Sequence, residues 1–302
     1  MNDTPHSELL HDAHTGDWVI IAPKRAHRPI AKGKKTKVED RFSIQNLKGE
    51  KILAVYGKGV NRIAVIENKY PIFQPDIDIR GHQEILVEGT ATGAFVDFSI
   101  RQMEQVFQAY VARAKVVSVR PDLQSVVIFK NEGFEAGASQ MHAHSQLFGL
   151  SFVPARWKDR ATKISRHARA MRDVTPERTI FQDPSVIAFA HPSARFPYEV
   201  RVLPRREVDN ITLLTEPEIR SLAKAVFLLL KLVKQRKLAF NFFFHDVFDD
   251  RHESFELHFV PRGVNVWGGF ELDAGIAINP ISAEMAAQAY REASSVVPSR
   301  KK

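Results

Sequence analysis

The sequence predicts an α+β fold made of two copies of one unit. Short apolar, β-branched runs bounded by turn residues alternate with long amphipathic segments. The order strand, strand, helix, strand, loop, strand occurs twice along the chain. The ends of the two copies also match locally: His142-Ala143-His144 leads to Phe152-Val153-Pro154, and Leu257-His258 runs into Phe259-Val260-Pro261. Pro176 marks the expected boundary, giving halves 1–175 and 176–302.

In chain order, Thr15-Gly16-Asp17 reads as a turn and Trp18 to Ile21 as a strand. A strand and turn follow over Asn61 to Pro71, and a further strand over Gln83 to Val87. Ile100, Met103, Val106, Phe107, Tyr110 and Val111 recur at helical spacing within a helix expected from Ser99 to Val116. Strands are expected over Ser125 to Phe129 and His142 to Leu150, then a basic, helix-compatible stretch from Trp157 to Asp173. In the second half, strands cover Ser185 to Ala190 and Tyr198 to Leu203. A helix spans Glu216 to Arg236, with Leu222, Val226, Phe227, Leu230 and Val233 on one side. Strands over Phe240 to His245 and Ser254 to Val260, a tight turn at Trp267-Gly268-Gly269 and a helix from Ala283 to Ala293 complete the chain.

With 302 residues, 44% of them hydrophobic, the chain can bury a large core. It contains no cysteine, which excludes disulfides and cysteine-ligated zinc. The start, Met1-Asn2-Asp3-Thr4-Pro5-His6, lacks the apolar centre of a signal peptide. No run approaches the ~18 apolar residues of a membrane span, so a cytoplasmic protein without a membrane partner is expected. The net charge of +8 suits polyanionic ligands. The densest basic run, Lys32 to Lys37, has no interleaved aromatics and reads as a solvated loop, not a nucleic-acid surface.

The chemistry concentrates between Asn131 and Gln146. On a strand, His142, His144 and Gln146 point to one face, and such a polar row is costly to bury unless it binds something. Two histidines at this spacing can chelate a metal, or one can serve as nucleophile or general base. The neighbouring loop, with Gly133 and Gly137, can offer main-chain N–H groups to a phosphate. A bare H-x-H alone is more often an ordinary polar strand face.

The full string N-x-G-x-x-x-G-x-S-x-x-H-x-H-x-Q resembles the histidine-triad superfamily, and within it the galactose-1-phosphate uridylyltransferase branch, which carries glutamine in place of a third histidine. The resemblance implies a mostly antiparallel sheet with flanking helices, built from two histidine-triad-like units. It implies that His144 attacks the α-phosphorus of a nucleoside diphosphate sugar and that a sugar 1-phosphate or phosphate then takes up the nucleotidyl group. Gln146 and Ser139 would stabilise the phosphoryl oxygens, His142 would orient His144, and Asn131 and Gly137 would hold the nucleotide phosphates. The stretch T-G-x-W-V-x-x-x-P-x-R-A-x-R-P resembles the family's N-terminal signature, which makes Arg25 and Arg28 diphosphate ligands, and Asn68 falls on a nucleotide-contact element. Phe270 and Glu271 match a segment that reaches a neighbouring subunit's sugar site, which implies a homodimer. The rival readings are an ADP-sugar or dinucleoside polyphosphate phosphorylase, and a nucleotide-binding regulatory protein without turnover.

The chain departs from the family at its metals. No C-x-x-C pair occurs over 38–50 and no histidine stands at Ala94 or Val96, so the structural zinc site is expected to be absent. Of the second site, His258 matches, Glu256 replaces a histidine, and His245, His252 and Asp159 lie in the right regions. Either zinc or iron binds at His245, Glu256 and His258, or these are polar residues left from a lost site. A lysine some relatives use near the sugar phosphate is Asn265 here.

Overall fold

The computed structural model describes residues 8–11, 18–21, 40–43, 45–73, 81–89, 93–157, 165–248, 254–264 and 267–295. Ten strands form one sheet: β3 (Ile52–Tyr56), β4 (Ile63–Glu67), β5 (Gly81–Glu88), β6 (Ser125–Glu132), β7 (His144–Leu150), β8 (Thr179–Gln182), β9 (Val186–Ala190), β10 (Val200–Pro204), β11 (Ala239–Val247) and β12 (Leu257–Arg262). The first two strands, β1 (Glu8–His11) and β2 (Trp18–Ile21), pair as a separate hairpin. The helices are α1 (Ile100–Ser118), α2 (Arg166–Arg172), α3 (Glu216–Arg236), α4 (Gly269–Ala274) and α5 (Ala283–Ser295). The class is α+β, with every pairing in the large sheet antiparallel.

The spatial order β3-β4-β5-β7-β6-β11-β12-β10-β9-β8 carries the duplication in its topology. Outward from the centre, β6, β7, β5, β4 and β3 are matched by β11, β12, β10, β9 and β8, with α1 and α3 in equivalent places. The copies join where β6 pairs with β11, from Phe240↔Glu132 to Val247↔Ser125. Each copy opens with three strands, not the two expected from sequence. The extra strands, β3 and β8, are the outer edges. There β3 is only half buried and β8 has just four residues, so neither carries a strong apolar alternation.

The long helices follow from their sequences. Ser99 caps α1, its Oγ accepting from the Gln102 main-chain N–H while Gln102 Oε1 accepts from the Ser99 N–H at 3.0 Å. In α3 the same box is made by Thr215 and Glu218, and the helix has the bounds expected from its periodicity. Their apolar faces pack with α5 on one side of the sheet, against Ile128, Leu147, Phe242, Phe244, Leu257 and Phe259. None of the described helices is long and apolar enough to cross a membrane. The opposite side of the sheet carries smaller apolar groups, Phe42, Leu47, Ile66, Ile85 and Val87 at one end and Ala170, Ile187, Phe189 and Leu203 at the other. Polar strand residues lie between them.

One polar network interrupts the helix-side core. Lys130 on β6 is fully buried, pairs with Glu88 on β5, and donates to the His144 main-chain O on β7 at 3.0 Å. The Tyr110 hydroxyl of α1 donates to Glu88 Oε1 at 2.7 Å, and Ser145 Oγ donates to the same oxygen at 2.6 Å. A buried ion pair of this kind gives little net stability, but removing one partner strands the other charge. Lys130→Met should therefore cost about 3–5 kcal/mol, read as a lower urea midpoint. Adding Glu88→Gln should recover part of that loss; a Lys130→Met protein as stable as the parent would refute the account.

Candidate active site

The loop between β6 and β7 is built on its glycines. Gly133 has φ +89° and Gly137 φ +82°, values that side chains rarely adopt. Between them Phe134–Ala136 makes one 3-10 turn, closed by the Gly137 N–H donating to the Phe134 carbonyl at 2.9 Å. The second copy holds this loop: Asn241 Nδ2 on β11 donates to Asn131 Oδ1 and to the Ala136 carbonyl, each at 2.8 Å. A methyl group on Gly133 would lie 2.6 Å from Ala239 Cβ.

After the loop, β7 starts at His144, two residues later than the sequence suggests. His142 precedes the strand, and its ring is held by two contacts. Its Nδ1 lies 3.1 Å from Asp40 Oδ2 and its Nε2 lies 3.0 Å from the Gly89 carbonyl. What orients His144 is the His142 main chain: His144 Nδ1 donates to the His142 carbonyl oxygen at 2.8 Å. The tautomer assigned by that bond puts the free lone pair on Nε2. Burial holds the His144 imidazole below its ordinary value, at about 4, so it is neutral at pH 7. The Phe42 ring packs on it with centroids 4.9 Å apart. On the same face, Gln146 pairs with Phe129 on one side and Ile85 on the other, and stays half-buried.

The remaining expected residues fall in different places. Asn131 and Gly137 belong to the loop just described, and Ser139 follows it, half-buried. Asn68 follows β4, and its Oδ1 accepts from the Tyr70 main-chain N–H at 3.0 Å. Its neighbour Glu67 pairs with Glu84, and Glu84 with Leu147, which puts Asn68 at the far end of the Gln146 row. Arg25 and Arg28 lie outside the described residues. The expected turn at Trp267-Gly268-Gly269 instead leads into α4, because Glu271 Oε2 accepts from the Gly268 N–H at 3.0 Å and caps the helix. Phe270 is exposed beside it. Among the described residues, neither side chain touches His142, His144 or Gln146. Sequence reasoning missed Asp40, Phe42 and Asn241. The first two act from a segment 102 residues away from His142, and Asn241 sits inside the phenylalanine-rich run of β11 with only its polarity as a signal.

Among the described residues, neither family metal site shows a converging set of ligands. At the first position there are no cysteines, and both nitrogens of His142 are engaged. In the second half, His245 Nε2 accepts from Arg166 Nη1 at 3.3 Å while its ring stacks on Trp157. Glu256 Oε1 lies 3.0 Å from Arg201 Nη1 and 3.8 Å from His258 Nε2. Burial, reinforced by the Arg166 charge, presses His245 down to about 3, and burial presses His258 to about 4. Among the described residues no three histidines or carboxylates converge as metal ligands. His252 and Asp159 lie outside them.

The HIT domain model matches residues 172–260, the second copy in the tandem sheet. Residues 54–154 match the model for galactose-1-phosphate uridyl transferase, N-terminal domain. The chain is 25% identical to a galactose-1-phosphate uridylyltransferase of Thermotoga maritima, over 94% of this chain and 98% of that one. It is also 25% identical to an ADP-glucose phosphorylase of Arabidopsis thaliana, over 97% and 94%. The crystal structure of the Arabidopsis thaliana ADP-glucose phosphorylase with bound ADP-glucose shares the fold with TM-score 0.75 at 24% identity, covering 95% of this chain and 99% of that one. A uridylyltransferase structure does so with TM-score 0.77 at 20% identity, covering 95% and 98%. The two domain matches together span most of the chain, and over nearly its whole length it is similar to galactose-1-phosphate uridylyltransferases and to an ADP-glucose phosphorylase, enzymes of nucleotidyl transfer.

The glycine loop gives a graded test. Gly133→Ala meets both a positive φ and Ala239, and should lower stability by about 1–3 kcal/mol in chemical denaturation. Gly137→Ala meets only the positive φ and should cost roughly 1 kcal/mol.

Proposed function

We propose that the protein, a cytoplasmic homodimer, moves a nucleoside monophosphate, UMP or AMP, from a nucleoside diphosphate sugar to a sugar 1-phosphate through a covalent nucleotidyl-His144. The observation that carries this reading is the His144 Nδ1 contact with the His142 carbonyl, which leaves a neutral Nε2 lone pair beside a glycine loop. Nε2 attacks the α-phosphorus, the P–O bond to the sugar phosphate breaks, and the sugar 1-phosphate leaves with the bonding pair. A phosphate oxygen of the acceptor then attacks the same phosphorus, and the P–N bond breaks to return the neutral imidazole. Positive charge on the ring in the intermediate is eased by the Nδ1–H bond to the His142 carbonyl. Gln146 and Ser139 donate to the phosphoryl oxygens, where charge must be stabilised, and Asn131, Gly137, Arg25, Arg28 and Asn68 hold the nucleotide.

Inorganic phosphate as acceptor is the second reading, favoured by the equal likeness to an ADP-glucose phosphorylase. For the sugar, Phe270 and Glu271 act across a dimer contact. The exposed side chains of Phe270, Leu272, Ile276 and Ile278 on and after α4 support a second copy as their cover.

Intact-protein mass after incubation with UDP-glucose, and separately ADP-glucose, without acceptor tests the chemistry. A gain of one UMP or AMP that is lost in His144→Ala is expected and also identifies the base. Nucleotide release with no adduct would instead indicate direct hydrolysis and sink the covalent step. The rate of adduct formation should stay level as pH falls past 6.5, the ordinary imidazole value, and decline only towards about 4, where His144 takes up a proton and loses its lone pair. A decline centred near 6.5 would show that burial does not control the nucleophile.

A further inference from the structure

A cavity of about 630 Å³ lies over the strands of the second copy, on the same face of the sheet as His144, with Arg156, Trp157 and α2 from the stretch joining the copies along its wall. Registers across the centre align Gln146 with Phe129, Phe129 with Phe243, Phe243 with His258, and His258 with Arg201. The cavity thus occupies the second copy's counterpart of the His144 site, with two strands, β6 and β11, between the Gln146 strand and His258. Its lining differs completely from the first copy's. Five arginines, at 156, 166, 169, 195 and 201, face it along with three carboxylates, Asp173, Glu199 and Glu256.

Each carboxylate has a local partner. Asp173 Oδ2 lies 3.1 Å from His191 Nε2, Glu256 lies against Arg201, and Glu199 Oε2 accepts the main-chain N–H groups of Arg195 and Phe196 at 2.9 and 3.2 Å. Among the described residues, no ion pair is formed by Arg156 or Arg195, and the two cations sit close enough to repel, which lowers Arg195 after the larger effect of burial. Trp267 supports the Arg195 guanidinium, 4.7 Å from its ring centroid. Arg201 Nε is buried and makes no hydrogen bond. Arg166, meanwhile, donates to the nitrogen lone pair of His245 that a metal would need.

We propose that this cavity is a second ligand site, specific for a phosphomonoester group, in which converging arginines stand where relatives of the chain would hold a metal. Guanidinium groups bind phosphate through paired donors, and a site with cationic excess favours a dianion. The volume exceeds that of a phosphate ion and leaves room for the small organic group that carries it. The site is independent of the nucleotidyl chemistry at His144.

Calorimetric titration of the full-length protein with inorganic phosphate and with glucose 1-phosphate, in a phosphate-free buffer and without nucleotide, tests it. Phosphate alone distinguishes a bare anion site from one that needs the organic group. Arg156→Ala, an exposed position that folding should tolerate, and Arg195→Ala should each weaken binding roughly tenfold or more, while His144→Ala leaves it intact. Arg195→Lys keeps the charge without the fork and should recover only part of the affinity. Binding lost in His144→Ala but retained in both arginine variants would overturn the proposal, as would no binding of either ligand. One-to-one zinc binding that depends on His258 would overturn it in favour of a metal site.

Discussion

The pairing of β6 with β11 is the constraint from which the rest follows. It fuses two copies of a five-stranded unit into one sheet, so both long helices share one face and both polar rows share the other. Because side chains alternate across a strand, a one-residue slip at that seam would send Phe129 and Phe243 into the helix layer and expose Ile128 and Phe242. The buried phenylalanines of β11, Phe240, Phe242 and Phe244, make such a slip prohibitive. The row of His144 and Gln146 is therefore positioned by packing on the opposite face.

Beneath that row, a buried charge holds the strand itself. Lys130 ties the His144 carbonyl to Glu88 and, through Tyr110, to α1. Above it, Phe42 packs on the His144 ring and the Asp40 carboxylate reaches His142. The contact of the Asp40 carboxylate with His142 and two apolar side chains, Phe42 and Leu47, anchor residues 40–43 and 45–49.

How much was legible in the sequence depended on how local each signal is. The H-x-H-x-Q string and its glycines lie within sixteen residues and fold as one loop and strand, and the α3 periodicity runs uninterrupted to a capping box that gives the helix its expected bounds. Edge strands β3 and β8 carry no such signal, since an edge strand is shaped by one neighbour and by solvent. His142 reads as part of the strand, but its ring meets a carboxylate far away in the chain and its main chain does the orienting. The His245, Glu256 and His258 set reads as a metal remnant because spacing shows donors but not the guanidinium groups of Arg166 and Arg201 that the fold sets against them. Arginines scattered from 156 to 201 look like ordinary surface charge until α2, β10 and the loop before it bring them together.

The Asn241 amide and the Ala239 methyl group, both from the copy without the H-x-H-x-Q string, touch the glycine loop of the copy that has it. Divergence after duplication is usually pictured as one copy keeping its duties while the other drifts freely. Here the second copy remains answerable at individual positions: the main chain of Gly133 packs against Ala239, and the Asn241 amide ties Asn131 to the Ala136 carbonyl. Each half of the sheet is thus part of the mould in which the other is set.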